Sequence, residues 1–236
     1  MRLRKRFKEA MPDYAFRAVQ RMRRGTDVGL HKSTLVNMLP PRPIIIEAGA
    51  HDGEDTVELS KYWSDGEVHA FEPIPALYRR LVSRTRKRQN VYCYPIALSG
   101  SNSWQEMHVS AGEHDSASSL LAPSGEFAKA HSETGFPTSV TVPTTTLDTW
   151  AANSGIDHVD FMWLDMQGGE LAALSSSPRI LSTATAIYTE VWLRKIYEGC
   201  PLYPELRAFM ESNGLRVSQE FLPWPDGGNV LFVREP

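Results

Sequence analysis

The fold is decided by the stretch Ile44-Ile-Ile-Glu-Ala-Gly-Ala-His-Asp-Gly-Glu-Asp-Thr56. Three β-branched residues lead into an acid, two glycines follow four positions apart, and the chain then becomes polar enough to begin a helix. An apolar run without polar alternation is typical of a strand that is covered on both faces, as in a parallel sheet flanked by helices. The stretch therefore predicts strand, tight turn and helix, the first unit of a nucleotide-binding α/β fold.

The charge of this turn indicates which nucleotide it binds. A dinucleotide site uses Gly-x-Gly-x-x-Gly, with bare backbone amides facing a pyrophosphate, but the third position of that pattern is His51 here. The turn also contains four carboxylates, which repel a diphosphate: Glu47, Asp52, Glu54 and Asp55. The same negative field attracts a ligand with an ammonium and a sulfonium group. The sign of the charge therefore favours S-adenosylmethionine over NAD.

Length and composition fit one α/β domain with a single core, because the chain has 236 residues, 42% of them apolar, and a net charge of −3. Cys93 and Cys200 have neither metal-type nor disulfide-framework spacing, so we expect both to be reduced. The sequence shows no apolar run long enough for a transmembrane segment and no apolar signal segment at its N-terminus. We therefore expect a cytoplasmic protein.

The first 43 residues are interpreted as a basic N-terminal leader with a short helix from Pro12, followed by the main domain over residues 44–236. A proline-rich segment, residues 40–43, separates the two parts. A basic arm can contact anionic membrane or nucleic acid. Because no aromatic residues are interleaved with the basic ones, we favour a solvated leader and do not expect nucleic acid as a partner.

Glu72 is the predicted ribose ligand. It falls 19 residues after Gly53, at the carboxyl end of a second predicted strand, Glu67–Phe71, and Pro73 then fixes the chain. Doubly wound folds place at this point an acid that accepts hydrogen bonds from ribose hydroxyls. One carboxylate has enough lone pairs for both hydroxyls.

A third strand and its exit turn are predicted over residues 91–100, which places Ala97 and Leu98 beside the adenine of a bound nucleoside. Residues 104–146 then form a predicted β-rich insertion over the sheet edge, with two alternating segments around a long polar excursion. Loops of that length in a compact domain more often serve as lids or substrate-binding elements than as filler. We expect the order of this insertion to depend on ligand.

Two further acids stand at the ends of predicted strands. Asp165 ends a fourth strand over residues 159–165, and Glu190 lies at the end of a fifth over residues 186–191. Open parallel sheets bind their ligands outside the carboxyl ends of the strands, near the switch point. We therefore expect Asp165 to face the sulfonium side of the cofactor, and Asp165 with Glu190 to form the reaction centre.

The end of the chain predicts two more strands, Leu215–Phe221 and residues 229–233. Strands joined by so short a turn are antiparallel. The predicted fold is therefore α/β and doubly wound, with a seven-stranded, mostly parallel sheet that contains one antiparallel strand.

Six motifs in order complete this pattern: IEAGAHDG at 46–53, AFEPIP at 70–75, PIALS at 95–99, TTLDTW at 145–150, DFMWLDMQGGE at 160–170 and YTEV at 188–191. With this order and spacing, the chain from Ile44 onward resembles the FkbM-type methyltransferases. The resemblance implies a class I methyltransferase fold, S-adenosylmethionine as cofactor, and O-methylation of a hydroxyl on a small molecule, sugar or glycan.

The resemblance also implies roles for individual residues. The implied cofactor-binding residues are Glu47, Gly49, Ala50, Asp52, Gly53, Glu72, Pro73, Ala97, Leu98 and Asp165. The sequence departs from the family pattern at Glu47, where aspartate is usual, and at Gln167, where the Asp-x-Glu-Gly form of the motif has glutamate. The first change retains the charge. The second removes a carboxylate and counts against a carboxylate-rich metal site.

Methyl transfer to a hydroxyl requires an aligned acceptor oxygen and a base for one proton. We expect Asp165 or Glu190 to orient or deprotonate the acceptor, with His51, His114 and His131 as less favoured bases. In an alternative mechanism the two acids share Mg²⁺, which acidifies a diol acceptor. We assign no metal ligand from the sequence.

Two other function classes remain open at this point. An NAD-dependent oxidoreductase shares the sheet and the ribose acid but not the glycine spacing. A non-catalytic module of the same fold would use the basic arm to bind nucleic acid with steep salt dependence.

Overall fold

The computed structural model describes residues 29–112 and 116–235. Residues 1–28 of the predicted leader, with the helix predicted from Pro12, and His114 lie outside the described residues. The strands are β1 Ile44–Ala48, β2 Glu67–Phe71, β3 Val91–Tyr94, β4 Ala97–Leu98, β5 Ser103–Gly112, β6 Thr134–Thr145, β7 Phe161–Leu164, β8 Ala186–Trp192, β9 Leu215–Phe221 and β10 Gly227–Arg234. The helices are α1 Lys32–Leu35, α2 Glu54–Tyr62, α3 Pro75–Thr85, α4 Gly125–Ala130, α5 Leu147–Ser154, α6 Glu170–Ser175, α7 Pro178–Leu181 and α8 Tyr203–Ser212.

The main sheet has seven strands in the order β3-β2-β1-β7-β8-β10-β9. Strand β1 is parallel to both β2 and β7, and only β10 runs against its two neighbours. The chain order reverses direction between β1 and β7, which is the switch point at which such sheets bind ligands. The predicted fold class is thus confirmed.

Both faces of the main sheet are covered, as the unbroken apolar run of β1 predicts. Ile46 packs with α5 and α8 in one core cluster, whereas Ile45 packs with α1 and α2 in another. This alternation follows from the two-residue period of a strand. The second cluster includes Leu30, Leu35 and Leu39, so the packed core takes in residues before the predicted boundary at residue 44.

The third strand differs from its prediction. Strand β3 ends at Tyr94, and Ala97 and Leu98 belong to a separate three-stranded sheet of order β4-β6-β5. Pro95 explains the break, because proline has no amide hydrogen for the strand ladder. The exit turn predicted within residues 91–100 therefore contains a short strand of a second sheet. Strands β5 and β6, which pair antiparallel, contain the two alternating segments of the predicted insertion.

Among the described residues, no helix combines the length and the apolar composition that crossing a membrane requires. Cys93 and Cys200 both carry free thiols. Burial raises the pKa of each thiol, which disfavours the reactive thiolate.

Gly53 joins the turn after β1 to α2. Its φ of +81° lies in the left-handed region, and an added Cβ would be 2.7 Å from Leu81 Cδ1 of α3. Glycine therefore serves two purposes here, backbone conformation and close packing of α3.

Replacing Gly53 with alanine is expected to lower the free energy of unfolding by about 2–4 kcal/mol, since left-handed strain and overpacking each cost roughly 1–3 kcal/mol. Urea denaturation measures this loss. Gly155→Ala is the matched control, because Gly155 has a φ of +70° but nothing within 4 Å of an added Cβ. Equal losses in both variants would show that the contact with Leu81 has no effect.

Candidate active site

A cavity of about 250 Å³ lies at the carboxyl ends of β1, β2 and β7. Its wall brings together most of the residues that the sequence assigns to the cofactor: Glu47, Gly49, Ala50, Asp52, Glu72, Pro73 and Asp165. The wall also contains residues that the sequence analysis missed, including Ile74, Leu77, Met107, Ser116, Ser118 and Trp163. The same cavity is thus lined by the glycine turn, by Glu72, the predicted ribose ligand, and by Asp165, one of the two candidate catalytic acids.

Three of the predicted cofactor residues are not in this wall. Gly53 packs beneath Leu81, as described above. Ala97 is buried in a small apolar cluster with Met107 and Val142, and Leu98 is buried in the main core. The structure therefore gives these three residues packing contacts and does not bring them to the cavity.

Gly49 holds the turn after β1 against the end of β7. Its φ is +84°, and an added Cβ would lie 1.9 Å from the backbone oxygen of Asp165. The amide of Asp165 in turn donates to the Ala48 carbonyl oxygen at 2.9 Å. The amides of Gly49 and Ala50 both donate to the Phe71 carbonyl oxygen, at 3.1 and 3.0 Å. Only glycine fits between these backbone segments, and the turn is fixed to both neighbouring strands.

The Glu72 carboxylate is oriented by the backbone. Oε2 accepts a hydrogen bond from the His51 amide at 2.9 Å, and Oε1 accepts one from the Ile74 amide at 2.8 Å. Burial raises the pKa of Glu72 to about 7, although both amides oppose the shift. Each carboxylate oxygen retains a lone pair, so the side chain can still accept hydrogen bonds from two ribose hydroxyls.

Glu47 is the most unusual acid of the cavity. Its side chain belongs to the wall, its relative exposure is 2%, and Oε2 has no hydrogen-bond partner among the described residues. Burial, together with the negative charge of Asp55, raises the pKa of Glu47 to about 8. A buried carboxylate oxygen without a partner is costly. An ammonium group in the cavity would supply the missing partner, so the residues present fit S-adenosylmethionine.

Lys32 of α1 supports the outer wall. Its Nζ lies 2.7 Å from both Asp55 Oδ1 and Glu58 Oε2, and 4.3 Å from the centroid of the Trp163 ring. Burial tends to lower the pKa of Lys32, but the two carboxylates outweigh it and raise the pKa. No local sequence pattern relates residue 32 to residue 163, so this contact could not be predicted.

The insertion covers the cavity. It supplies Met107, Ser116 and Ser118 to the wall. The Ser119 hydroxyl donates to the backbone oxygen of Gln167 at 2.8 Å, which ties the insertion to the turn after β7. The dependence of its order on ligand stays a prediction.

The two candidate catalytic acids meet through one side chain. Gln167 Nε2 donates to Asp165 Oδ1 at 2.6 Å and to Glu190 Oε2 at 2.8 Å. Asp165 is open to the cavity, whereas Glu190 is half-buried and lies outside the cavity wall. Among the residues that the structure describes, no group of three or more His, Cys, Asp and Glu side chains is arranged to hold a metal ion.

Both carboxyl groups hold their protons more strongly than exposed acids do. Burial and the charge of Asp165 raise the pKa of Glu190 well above its usual range. The protein around Asp165 also raises the pKa of that group by desolvation, although the hydrogen bond from Gln167 opposes the shift. Interacting carboxyls of this kind retain a proton at a pH where a lone acid would lose it.

The candidate histidines have separate positions. His51 is in the cavity wall, with Nδ1 at 3.8 Å from Asp52 Oδ1. His131 lies outside the wall, where Nε2 is 2.8 Å from Asp226 Oδ2 and the ring packs on Phe127. His131 therefore packs against other residues outside this cavity.

Comparison with known proteins identifies the family of the chain. Residues 47–217 match the methyltransferase FkbM domain. The chain therefore belongs to the FkbM-type family of S-adenosylmethionine-dependent methyltransferases. Family membership sets aside the NAD-dependent oxidoreductase.

A curated relative and two solved structures extend the comparison. The 2-O-methyltransferase NoeI of Sinorhizobium fredii (strain NBRC 101917 / NGR234) is 27% identical over 174 residues, which cover 72% of each chain. The FkbM methyltransferase of Methylobacillus flagellatus KT is 13% identical, with a TM-score of 0.55 over 81% of this chain and 44% of that one. The fibrillarin pre-rRNA processing protein of Methanococcus jannaschii, also 13% identical, has a TM-score of 0.50 over 84% and 69%. The two structures share the fold.

The affinity for S-adenosylmethionine is expected to rise with pH up to about 8. Glu47 holds a proton below its pKa of about 8, and an ammonium group beside it favours the ionised form, so binding releases a proton. One linked proton gives a rise of up to about tenfold per pH unit, and Glu72 adds to the slope below about pH 7. Calorimetric titration between pH 6 and 9 measures this slope.

Glu47→Gln is the control for that titration, because a glutamine cannot release the proton. The Glu47→Gln variant should bind the cofactor more weakly, and its affinity should no longer rise with pH between pH 7 and 8. An unchanged slope in this variant would assign the proton release to another group.

Proposed function

We propose that this chain transfers a methyl group from S-adenosylmethionine to a hydroxyl of a carbohydrate or another hydroxyl-bearing small molecule. The observation that carries the proposal is the position of Asp165, which opens to the cofactor cavity and is joined through one amide to Glu190. A hydroxyl must lose its proton as it is methylated, whereas an uncharged amine attacks through a free lone pair. A pair of acids with raised pKa values suits the hydroxyl.

The cofactor supplies an electrophilic methyl group when it is bound. In the proposed arrangement, Glu47 holds its ammonium group and Glu72 holds its ribose hydroxyls. The turn at Gly49 permits close approach of the ligand to the backbone.

The proton of the acceptor passes to Asp165. Oδ1 of Asp165 accepts the hydrogen bond from Gln167, which leaves Oδ2 to face the acceptor. The raised pKa of this group makes it a stronger base than an exposed aspartate. Glu190, with the higher pKa of the pair, keeps its own proton and so limits the negative charge beside the base.

The relative NoeI gives independent support for oxygen as the acceptor atom, because it is named a 2-O-methyltransferase and the match covers most of both chains. The Mg²⁺-assisted alternative has no comparable support. The amide hydrogens of Gln167 point at both carboxylates, in the space where a shared cation would lie. The residues present therefore do not fit a Mg²⁺ ion between Asp165 and Glu190.

Asp165→Asn is expected to lower turnover about a hundredfold or more while leaving cofactor affinity nearly unchanged, since general-base catalysis contributes roughly 10²–10⁴ in rate. The assay follows transfer of a labelled methyl group from S-adenosylmethionine to a panel of carbohydrates and polyhydroxylated small molecules, with NMR to locate the new methyl group.

Asp157→Asn is the matched control, because the Asp157 side chain is 94% exposed and lies outside the cavity wall. It should retain full turnover. Full turnover of the Asp165 variant would remove that residue from the mechanism, and methylation of nitrogen in place of oxygen would overturn the proposed acceptor.

A further inference from the structure

We propose that Gln167 is a positioning residue that joins the Asp165 and Glu190 carboxylates through its two amide hydrogens, in the place that a divalent cation would take between them. This inference rests on the proposed function, because it explains how that acid pair operates without a shared metal ion. It gives a physical role to the glutamine that stands where the Asp-x-Glu-Gly form of the motif has a glutamate.

The side-chain amide of Gln167 donates a hydrogen bond to each of the two acids. Gln167 Nε2 lies 2.6 Å from Asp165 Oδ1 and 2.8 Å from Glu190 Oε2, so each hydrogen of the amide is directed to a different carboxylate. The relative exposure of Gln167 is 8%, so water does not compete freely for these bonds. Two bonds from one planar group fix the distance between the two acids.

Tyr197 contacts the other end of the amide. Its hydroxyl lies 2.7 Å from Gln167 Oε1 and 2.8 Å from the Ala117 carbonyl oxygen, and the tyrosine is fully buried. Its single hydrogen can be donated to only one of these oxygens at a time, so Tyr197 holds the amide in place without setting its orientation alone. The acids set the orientation, because an ionised carboxylate only accepts hydrogen bonds and must face the amide nitrogen.

The backbone at this point is held in an uncommon conformation. Gln167 has a φ of +54°, which few residues other than glycine adopt. Its carbonyl oxygen accepts the Ser119 hydroxyl, and at the next position Gly168 has a φ of +97° and packs against Cys200. Strain of this kind persists only where the surrounding contacts maintain it, and here they direct the side chain between the two acids.

The electrostatic surroundings show why the acids need the amide. The charged groups that act on Asp165 are Asp55 and His51, and those that act on Glu190 are Asp165, Glu170 and Asp226. Nearly all of these are acidic, so the neighbours oppose ionisation. The hydrogen bonds from Gln167 lower the pKa of both Asp165 and Glu190. The amide thus keeps Asp165 available as a base, whereas a glutamate at position 167 would place another negative charge beside it.

The first experiment measures the pair directly. In the full-length protein, the ¹⁵N side-chain amide signal of Gln167 should show two slowly exchanging hydrogens that shift when Asp165 and Glu190 titrate. Gln167→Met should raise the titration midpoints of both ¹³C-labelled carboxyls by roughly one pH unit, because it keeps the shape but removes the hydrogen bonds. The apparent pKa of the acid limb, in a plot of turnover against pH, should rise by the same amount. The KM for S-adenosylmethionine should stay constant.

Tyr197→Phe removes the hydroxyl that contacts the Gln167 amide. Tyr92→Phe is the control, because the Tyr92 ring is exposed. The Tyr197 variant should accelerate exchange of the Gln167 amide hydrogens, and the Tyr92 variant should not. In the wild-type protein, the proposal is overturned if the Gln167 amide hydrogens exchange fast and their signals do not shift as the two acids titrate. This outcome needs no variant, so the test does not depend on a substitution that fails to fold.

The second experiment asks whether the glutamine takes the place of a cation. Gln167→Glu should bind Mg²⁺ or Tb³⁺ at one site per chain, at least about tenfold more tightly than the wild-type protein, because three convergent carboxylates suit hard cations. Gln89→Glu makes the same change at an exposed position and should not gain the site. Equal cation affinity of the Gln167 variant and the wild type would contradict the proposal. Failure of hydroxyl methylation alone would leave the NMR and cation results intact, so the two claims fail separately.

Discussion

The contact between Gly49 and the backbone oxygen of Asp165 is the constraint on which the rest of the site depends. An added Cβ would lie only 1.9 Å from that oxygen, so no larger residue fits without moving a strand. The contact brings the turn after β1 against the end of β7. As a result, the acid before the turn, Glu47, and the acid after β7, Asp165, belong to the wall of the same cavity. Their relative position is built into the sheet, which is the kind of preorganisation that in-line methyl transfer requires.

The charges of the site follow from this arrangement. Glu47 and Glu72 are both buried, and both have raised pKa values, so their ionisation costs stability in the free protein. At neutral pH a cationic cofactor must displace the proton of Glu47, so its binding becomes stronger as the pH rises towards 8. Asp165 and Glu190 differ from these two acids, because both receive hydrogen bonds from the side chain of Gln167. The cavity thus contains buried acids that favour a cationic ligand, whereas Asp165 receives its hydrogen bond from Gln167, outside the cavity wall.

Local patterns explain what the sequence could predict. The strand, turn and helix around Gly49 and the acid Glu72 depend on neighbouring residues and a short spacing, and the antiparallel end of the sheet depends on one short turn. Local patterns could not predict that Ala97 and Leu98 belong to a second sheet, because they pair with Thr144 and Thr145, far along the chain. The contact of Lys32 with Trp163 joins distant segments, and the bonds of Gln167 depend on side-chain rotamers. Neither leaves a periodic signal in the sequence.

A crystal structure with S-adenosylmethionine bound tests the assignment of the cofactor site. We expect the cofactor ammonium within hydrogen-bond distance of Glu47, the ribose hydroxyls in contact with Glu72, and the methyl group facing Asp165. An ammonium group bound to other acids, with Glu47 Oε2 still lacking a partner, would contradict this assignment.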